Sequence, residues 1–116
     1  MNIRYADVIY SFVEEISPSG YKFLVCINEE LGYFLLINSL NREIYECVEI
    51  SARHYRFLKY DSFVSCSRFF KLTQESLVVS KIVGRINLED IHRIYDKIQA
   101  SNKWLIRHKK QIKSPT

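Results

Sequence analysis

A short run of cations and aromatic rings, Arg53-His54-Tyr55-Arg56-Phe57, contains the residue types most suited to binding chemistry. Positive charges beside aromatic rings are typical of surfaces that bind single-stranded nucleic acid, because bases stack on the rings while the cations pair with phosphates. Arg53, His54, Tyr55 and Arg56 are therefore candidate RNA-binding residues. The alternative is a surface loop whose charges are simply solvated and whose rings, Tyr55 and Phe57, fill the core.

The end of the chain is a second positive region. From Lys97 onward there are six basic residues and no acid, whereas residues 1–96 carry 11 basic and 13 acidic side chains. Such a segment binds phosphates by releasing counterions, although many charged tails are only solvated. Lys109 and Lys110 lie in this region and are candidate RNA contacts.

Sequence motifs of the best-known enzyme classes are absent. There is no Gly-rich phosphate loop, no HExxH and no GxSxG, and His54, His92 and His108 have no regular mutual spacing. The sequence therefore predicts neither a metal nor a cofactor.

Length and composition predict one small domain. With 116 residues, 47% of them hydrophobic, the chain has enough material for a single core. Its apolar runs reach at most about seven residues, far short of the roughly 20 that cross a bilayer, and the N-terminus lacks the order of a signal peptide. We expect a cytoplasmic protein in contact with no membrane. Cys26, Cys47 and Cys66 lie in apolar or β-like segments and are expected to be small buried thiols.

Aromatic and β-branched residues dominate the first two thirds and predict strands. In ADVIYSFVEEI, Val8, Tyr10 and Phe12 alternate with Asp7 and Ser11, which is typical of a half-buried strand with the apolar set inside. YKFLVCI and YFLLINS are almost continuously apolar and are expected to pair as central strands. EIYECVEI suggests an outer strand, and DSFVSCSRFFKL predicts one strand and a second short one. Ser17-Pro18-Ser19-Gly20 is expected to form a hairpin loop.

A helix near the end is the best-specified element. Asn87 is a suitable N-cap, Asp90 stands where it could complete a capping box, and Ile86 could pack on Ile91. An amphipathic stripe follows, which predicts a helix lying on a sheet over about residues 87–101. The residues of the stripe are Leu88, Ile91, Ile94, Tyr95 and Ile98.

Together these elements predict a mainly β protein with some α-helix. We expect a small SH3-like barrel, or a strongly bent antiparallel sheet, capped by the C-terminal helix. The alternative is an open α+β sandwich, which composition does not separate from the barrel.

The order of the elements resembles that of the MazF/PemK-like toxins of bacterial toxin–antitoxin modules. The matching pieces are ADVIYSF, GYKFLVCIN, YFLLINS, DSFVSCSR and VGRINLEDIHRIYDKI, which span most of residues 5–100. The likeness is one of order and pattern and not of long identities. It implies a barrel domain over residues 1–102, followed by a basic extension over residues 103–116.

The resemblance implies a metal-independent endoribonuclease that acts on single-stranded RNA. The family's Arg, usually followed by Pro, falls at Lys22 and Phe23, and its Thr falls at Ser39. Lys22 and Ser39 are therefore the candidate catalytic residues. Both depart from the family, and the exchange of Arg for Lys loses the planar fork that grips phosphate through two bonds.

Two further implications concern partners. The family forms homodimers, and its antitoxins neutralise the toxin with an extended acidic segment, so we expect a homodimer and an acidic antitoxin-like protein as partners. The alternative function is a non-catalytic barrel of the same fold, one that binds a protein partner or binds RNA without cutting it.

Overall fold

The structure, a computed structural model, describes residues 2–16 and 19–115. Seven strands and three α-helices follow one another along the chain, with short 3₁₀ turns at Glu43–Tyr45 and Ala52–His54. In chain order they are β1 Asp7–Val13, β2 Gly20–Asn28, β3 Tyr33–Asn38, β4 Val48–Ile50, β5 Ser62–Val64, β6 Phe70–Lys71, α1 Gln74–Val78, β7 Lys81–Arg85, α2 Leu88–Ala100 and α3 Ile106–Lys110.

All seven strands belong to one strongly curled antiparallel sheet. Its order is β4-β5-β3-β2-β1-β7, and β6 pairs with β3 outside this path. The sheet forms a half-barrel and α2 follows it, which confirms the predicted fold class in its bent-sheet form. The predicted central pair is also confirmed, because β2 lies between β1 and β3.

Local signals explain the turn between β2 and β3. The side-chain oxygen of Asn28 accepts a hydrogen bond from the amide of Leu31 at 2.9 Å. Gly32 then adopts a φ of +72°, where a side chain would be strained and its Cβ would lie 2.9 Å from the carbonyl oxygen of Leu72. The predicted loop before β2 is described only in part, since Ser17 and Pro18 lie outside the described residues.

The sheet has a core on each face. On the first face, α2 packs Ile91, Ile94 and Ile98 against β1, β2, β3, β4 and β5. On the second face, Leu77 of α1 packs against a smaller cluster that includes Ile9 and Phe34. The sheet is therefore covered on both sides where β1 carries Val8 and Ile9 and where β2 carries Leu24 and Val25.

The prediction that the apolar set of β1 lies inside is wrong for Tyr10 and Phe12. Asp7 and Ser11 are buried, whereas Tyr10 and Phe12 are each 41% exposed. Asp7 pairs with Arg85 at 2.9 Å, and Ser11 accepts a hydrogen bond from the hydroxyl of Ser80 at 2.6 Å. The reason is where the helices lie. They leave the first face of β1 uncovered at Tyr10 and Phe12, whereas the second face is covered beyond Ile9.

The predicted N-cap of α2 is confirmed and the predicted stripe largely so. The side chain of Asn87 accepts from the amide of Asp90 at 2.8 Å, and Ile86 and Ile91 are buried in the same core. Leu88 was placed on the buried stripe but is 61% exposed. It lies in the first turn, between Ile86 and Ile91, which are buried.

The C-terminal segment packs onto the domain. Trp104 and Ile112 are buried in the first core, and the indole of Trp104 donates to the carbonyl oxygen of Cys66 at 2.7 Å. Pro115 is buried as well, and Thr116 lies outside the described residues. Residues 103–115 are thus structurally part of the unit formed by residues 2–102.

Candidate functional site

A cavity opens on the second face of the sheet, near the end of β3. Its volume is about 500 Å³. Its walls combine three cations, one carboxylate and several hydroxyl groups with a few apolar side chains. The lining residues are Glu15, Ile16, Lys22, Leu36, Asn38, Ser39, Leu40, Arg42, Tyr45, Ser65, Ser67, Arg68 and Phe70.

The pairing of β2 with β3 brings the two predicted catalytic residues to this cavity. Phe23 pairs with Ile37, so the preceding residue of β2, Lys22, lies beside the end of β3. Ser39 directly follows that end, and both residues line the cavity. Seventeen positions apart in the sequence, they meet because the strands are antiparallel.

Hydrogen bonds of the backbone fix the opposite wall. The carbonyl oxygen of Tyr45 accepts from the amides of Cys66 and Ser67, each at 3.0 Å. Glu46 follows in a left-handed conformation with a φ of 51°, and its carboxylate accepts from the hydroxyl of Ser101 at 2.5 Å. The 3₁₀ turn that carries Arg42 and Tyr45 is therefore held both to the segment after β5 and to the end of α2.

The cavity concentrates positive charge. Arg68 lies with its guanidinium carbon 4.6 Å from the centre of the Phe70 ring, a cation–π contact that orients the side chain. In the part of the chain that the structure describes, no ion pair or hydrogen bond joins the side chains of Lys22, Arg42 or Arg68 to another side chain. Cations left without partners in a concave site favour an anion, and phosphate fits both the guanidinium groups and the hydroxyl donors around them.

Arg42 and Arg68 were missed as site residues by the sequence reasoning. The sequence did contain one signal for Arg68, the polar run Ser65-Cys66-Ser67-Arg68 directly after an apolar strand. That this run lines the cavity depends on the long-range pairing of β3 with β5.

The Arg53 to Arg56 cluster lies outside the cavity. Arg53, His54 and Arg56 are exposed on the 3₁₀ turn and the loop that follows. They are placed on a different part of the surface from Lys22 and Ser39, and their role in RNA binding stays a prediction.

Tyr55 is a correction to that cluster. Only 5% of it is exposed, so its ring offers no free face to a base. Its hydroxyl donates to Asp90 at 2.5 Å and accepts from the amide of Asn87 at 3.2 Å. Burial, and then the hydrogen bond to Asp90, raise the pKa of this phenol above its usual value.

The same contacts correct the expected capping box. The carboxylate of Asp90 does not reach back to the amide of Asn87. The Tyr55 hydroxyl accepts a hydrogen bond from that amide and donates one to Asp90. The other oxygen of Asp90 accepts from Arg93 at 2.9 Å. A residue 35 positions away thus completes the helix cap.

The two predicted cations of the tail differ in availability. The ammonium group of Lys109 donates to the carbonyl oxygen of Gln99 at 2.9 Å, which ties α3 to the end of α2. Lys110 is exposed. Contact of either residue with RNA stays a prediction, and the ammonium group of Lys109 keeps two further donors beside its bond to Gln99.

The cysteines are free. Cys26 and Cys66 are buried, and burial raises the pKa of each thiol to about 12. Cys47 is partly exposed, so the prediction of buried thiols is confirmed for two of the three. No cluster of three or more His, Cys, Asp or Glu residues with the geometry of a metal site occurs within residues 2–16 and 19–115.

None of the helices in the described ranges is both long enough and apolar enough to cross a bilayer. No protein-family model matches the sequence, and no curated protein matches it. The likeness to MazF/PemK-like toxins therefore stays a prediction made from the order of the elements.

Proposed function

We propose that this protein is a MazF/PemK-like toxin that cleaves single-stranded RNA in the cavity without a metal. One observation carries the proposal. Lys22 and Ser39, chosen from the resemblance alone, line one cavity together with Arg42 and Arg68.

Arg42 and Arg68 supply the planar groups that are lost where Lys22 takes the place of the family's arginine. A lysine at the phosphate clamp supplies a charge without a planar fork. Arg42 and Arg68 each bring such a fork to the same cavity, and Phe70 orients the one at Arg68. The binding of phosphate is then shared among three cations, and Lys22 is left to act on the leaving group.

Metal-free cleavage of RNA needs a base, an acid and donors for the charge that develops on phosphorus. Glu15 is the one carboxylate among the described lining residues and is the candidate base for the 2′-hydroxyl. The 2′-oxygen attacks phosphorus, the bond from phosphorus to the 5′-oxygen breaks, and Lys22 gives that oxygen its proton. Ser39 donates to a non-bridging oxygen. The products are a 2′,3′-cyclic phosphate and a 5′-hydroxyl.

A second candidate function is binding without cleavage. The observation that favours it is the absence of histidine from the described cavity wall, since His54, His92 and His108 all lie elsewhere. Without an imidazole, acid–base catalysis depends on Lys22 and Glu15 alone, whereas the phosphate contacts do not need one. An acidic segment of a partner protein would suit the same cations, and its carboxylates would compete with RNA phosphates there.

The test is incubation of the purified protein with mixed-sequence single-stranded RNA in EDTA. We expect products that end in cyclic phosphate, and a rate lower by a factor of about 10² or more in Lys22→Ala, as for loss of a general acid. Ser39→Ala and Arg68→Gln should also slow the reaction. Arg4→Ala removes an exposed cation outside the cavity and serves as the charge-matched control.

Two results would count against the proposal. Cleavage that the cavity variants leave unchanged would place the activity elsewhere. Absence of cleavage at high protein concentration, with salt-dependent binding that Arg42→Gln and Arg68→Gln weaken, would leave the second candidate. Light scattering on the same samples measures whether the expected homodimer forms.

A further inference from the structure

A row of aromatic rings lies on the first face of the sheet, on the side opposite the cavity. It begins at Phe57 and continues through Phe23, Tyr10 and Tyr21 to Phe12. Successive ring centres are 5.2, 5.1, 5.3 and 5.5 Å apart along this order. We call these five residues the ring row.

The outer part of the ring row is unusually accessible. Tyr10 and Phe12 are each 41% exposed and Tyr21 is 59% exposed. In strand pairs β1 and β2, Tyr10 faces Phe23 and Phe12 faces Tyr21, so all four side chains project to the same side. Three large rings exposed side by side indicate a binding surface, because isolated apolar residues are common on protein surfaces but contiguous ones are not.

The charges beside the Phe57 and Tyr10 end of the ring row are positive. The loop over residues 53–60, which contributes Phe57, carries Arg53, Arg56 and Lys59 and no acid. Lys81 is exposed and pairs with Tyr10 across β1 and β7. Two acids lie nearby in the sequence: Glu14 is exposed beyond the Phe12 end of the row, and the carboxylate of Asp61 accepts from the amide of Ala52.

We propose that the ring row is a stacking platform for the bases of single-stranded RNA, with the loop cations and Lys81 on its phosphates. Exposed rings for stacking and cations for the backbone are what a flexible polyanion with flat bases requires. A symmetric contact with a second copy suits this surface less, because it would bring the cationic loops of both copies into one interface. The proposal rests on the proposed function for the class of ligand but not for cleavage.

The platform and the cavity lie on opposite faces of one strand. Lys22 stands between Tyr21 and Phe23, and successive strand residues point to opposite sides. Substitutions can therefore address each face separately. This separation makes the two proposals distinguishable.

The test compares a single-stranded RNA of about 12 nucleotides with a strand of equal length that has abasic sugars in place of nucleosides. The wild type should prefer the strand with bases by about tenfold, since each stacked base contributes roughly 1–3 kcal/mol to binding. Tyr10→Ser and Tyr21→Ser should each remove most of this preference, and Tyr21→Phe should restore it. Ile106→Ala, which shortens an exposed apolar side chain of α3, is the control.

Cleavage is measured in the same samples. Loss of base preference in Tyr21→Ser supports the platform whether or not the protein cleaves. Equal binding of the two strands by the wild type, or an unchanged preference in Tyr10→Ser and Tyr21→Ser, would overturn the platform even if Lys22 proved catalytic. A shift from dimer to monomer in Tyr21→Ser with unchanged RNA affinity would also overturn it. If Tyr21→Ser does not fold, Tyr21→Leu preserves the apolar area while removing the ring.

Discussion

Polar side chains gather at two places in this protein, and the two differ in whether the groups satisfy one another. At the start of α2, Tyr55, Asn87, Asp90 and Arg93 are joined by hydrogen bonds of 2.5–3.2 Å. In the cavity, among the described residues, the charged ends of Lys22, Arg42 and Arg68 have no such side-chain partners. The first cluster uses its polarity to hold the fold, and the second has its polarity available for a ligand.

The two clusters also differ in how much they contribute to the stability of the fold. A buried carboxylate with two donors contributes to stability mainly because removing either side leaves an unpaired polar group. Exposed or half-buried cations without partners contribute little to stability and can even oppose it by mutual repulsion. Stability and binding should therefore respond to different substitutions.

The largest effect is expected for Asp90→Ala. Asp90 is 6% exposed, and its loss leaves the hydroxyl of Tyr55 without its acceptor. It also leaves the guanidinium of Arg93 with only the carbonyl oxygen of Glu49. We expect the free energy of unfolding to fall by about 3 kcal/mol. Unfolding in urea, followed by circular dichroism, measures it.

Lys22→Ala is the matched cavity variant for that measurement. It should change the free energy of unfolding by less than about 0.5 kcal/mol, as is usual for substitutions outside the buried networks. A cost for Lys22→Ala as large as that for Asp90→Ala would mean that the cavity is a structural cluster after all.

The next effect is expected for Tyr55→Phe, which removes one hydroxyl and keeps the ring. The amide of Asn87 and the carboxylate of Asp90 then each lose a partner, at a cost of about 1–2 kcal/mol in the free energy of unfolding. RNA affinity, measured by fluorescence anisotropy under conditions where both proteins are folded, should not change. A loss of affinity with intact folding would return Tyr55 to the list of RNA-binding residues.

The two clusters also show what the sequence can and cannot predict. Asn87 and the apolar spacing of Ile91, Ile94 and Ile98 are local signals, and they gave the helix and its cap correctly. The Tyr55 hydroxyl also belongs to that cap. Tyr55 lies 35 positions before Asp90, and no local pattern reveals so distant a partner. The local order of residues predicts helices and strands, whereas contacts between residues distant in the sequence are known only from the structure.

The same limit explains the error in β1. Alternation in the sequence showed two faces, but which face is buried depends on where α1 and α2 come to lie. Tyr10 and Phe12 were expected inside and form part of the ring row. In the cavity, Lys22 and Ser39 came from the resemblance, while Arg42 and Arg68 required the pairing of β3 with β5.

The smallest effect is expected at a third polar group, Glu29, which links the two ends of the described chain. Its carboxylate accepts from the amide of Tyr5 at 2.9 Å and lies 3.5 Å from the ammonium of Lys113. Burial opposes ionisation of this carboxyl, but these contacts outweigh it and lower its pKa below the usual value.

A lowered pKa in the folded state means that the ionised carboxylate stabilises the fold. This contribution is complete above the unfolded pKa of about 4.5 and is lost as the pH falls through the folded value. Glu29→Gln keeps an acceptor for Tyr5 but loses the charge, so we expect it to cost about 1 kcal/mol or less at pH 7. The difference from the wild type should shrink toward zero below about pH 4 in urea titrations repeated across pH. A difference in the free energy of unfolding that stayed constant down to pH 3 would assign the cost to packing and not to the charge. Glu29 would then resemble neither the hydrogen-bonded cluster at the start of α2 nor the unpaired cations of the cavity.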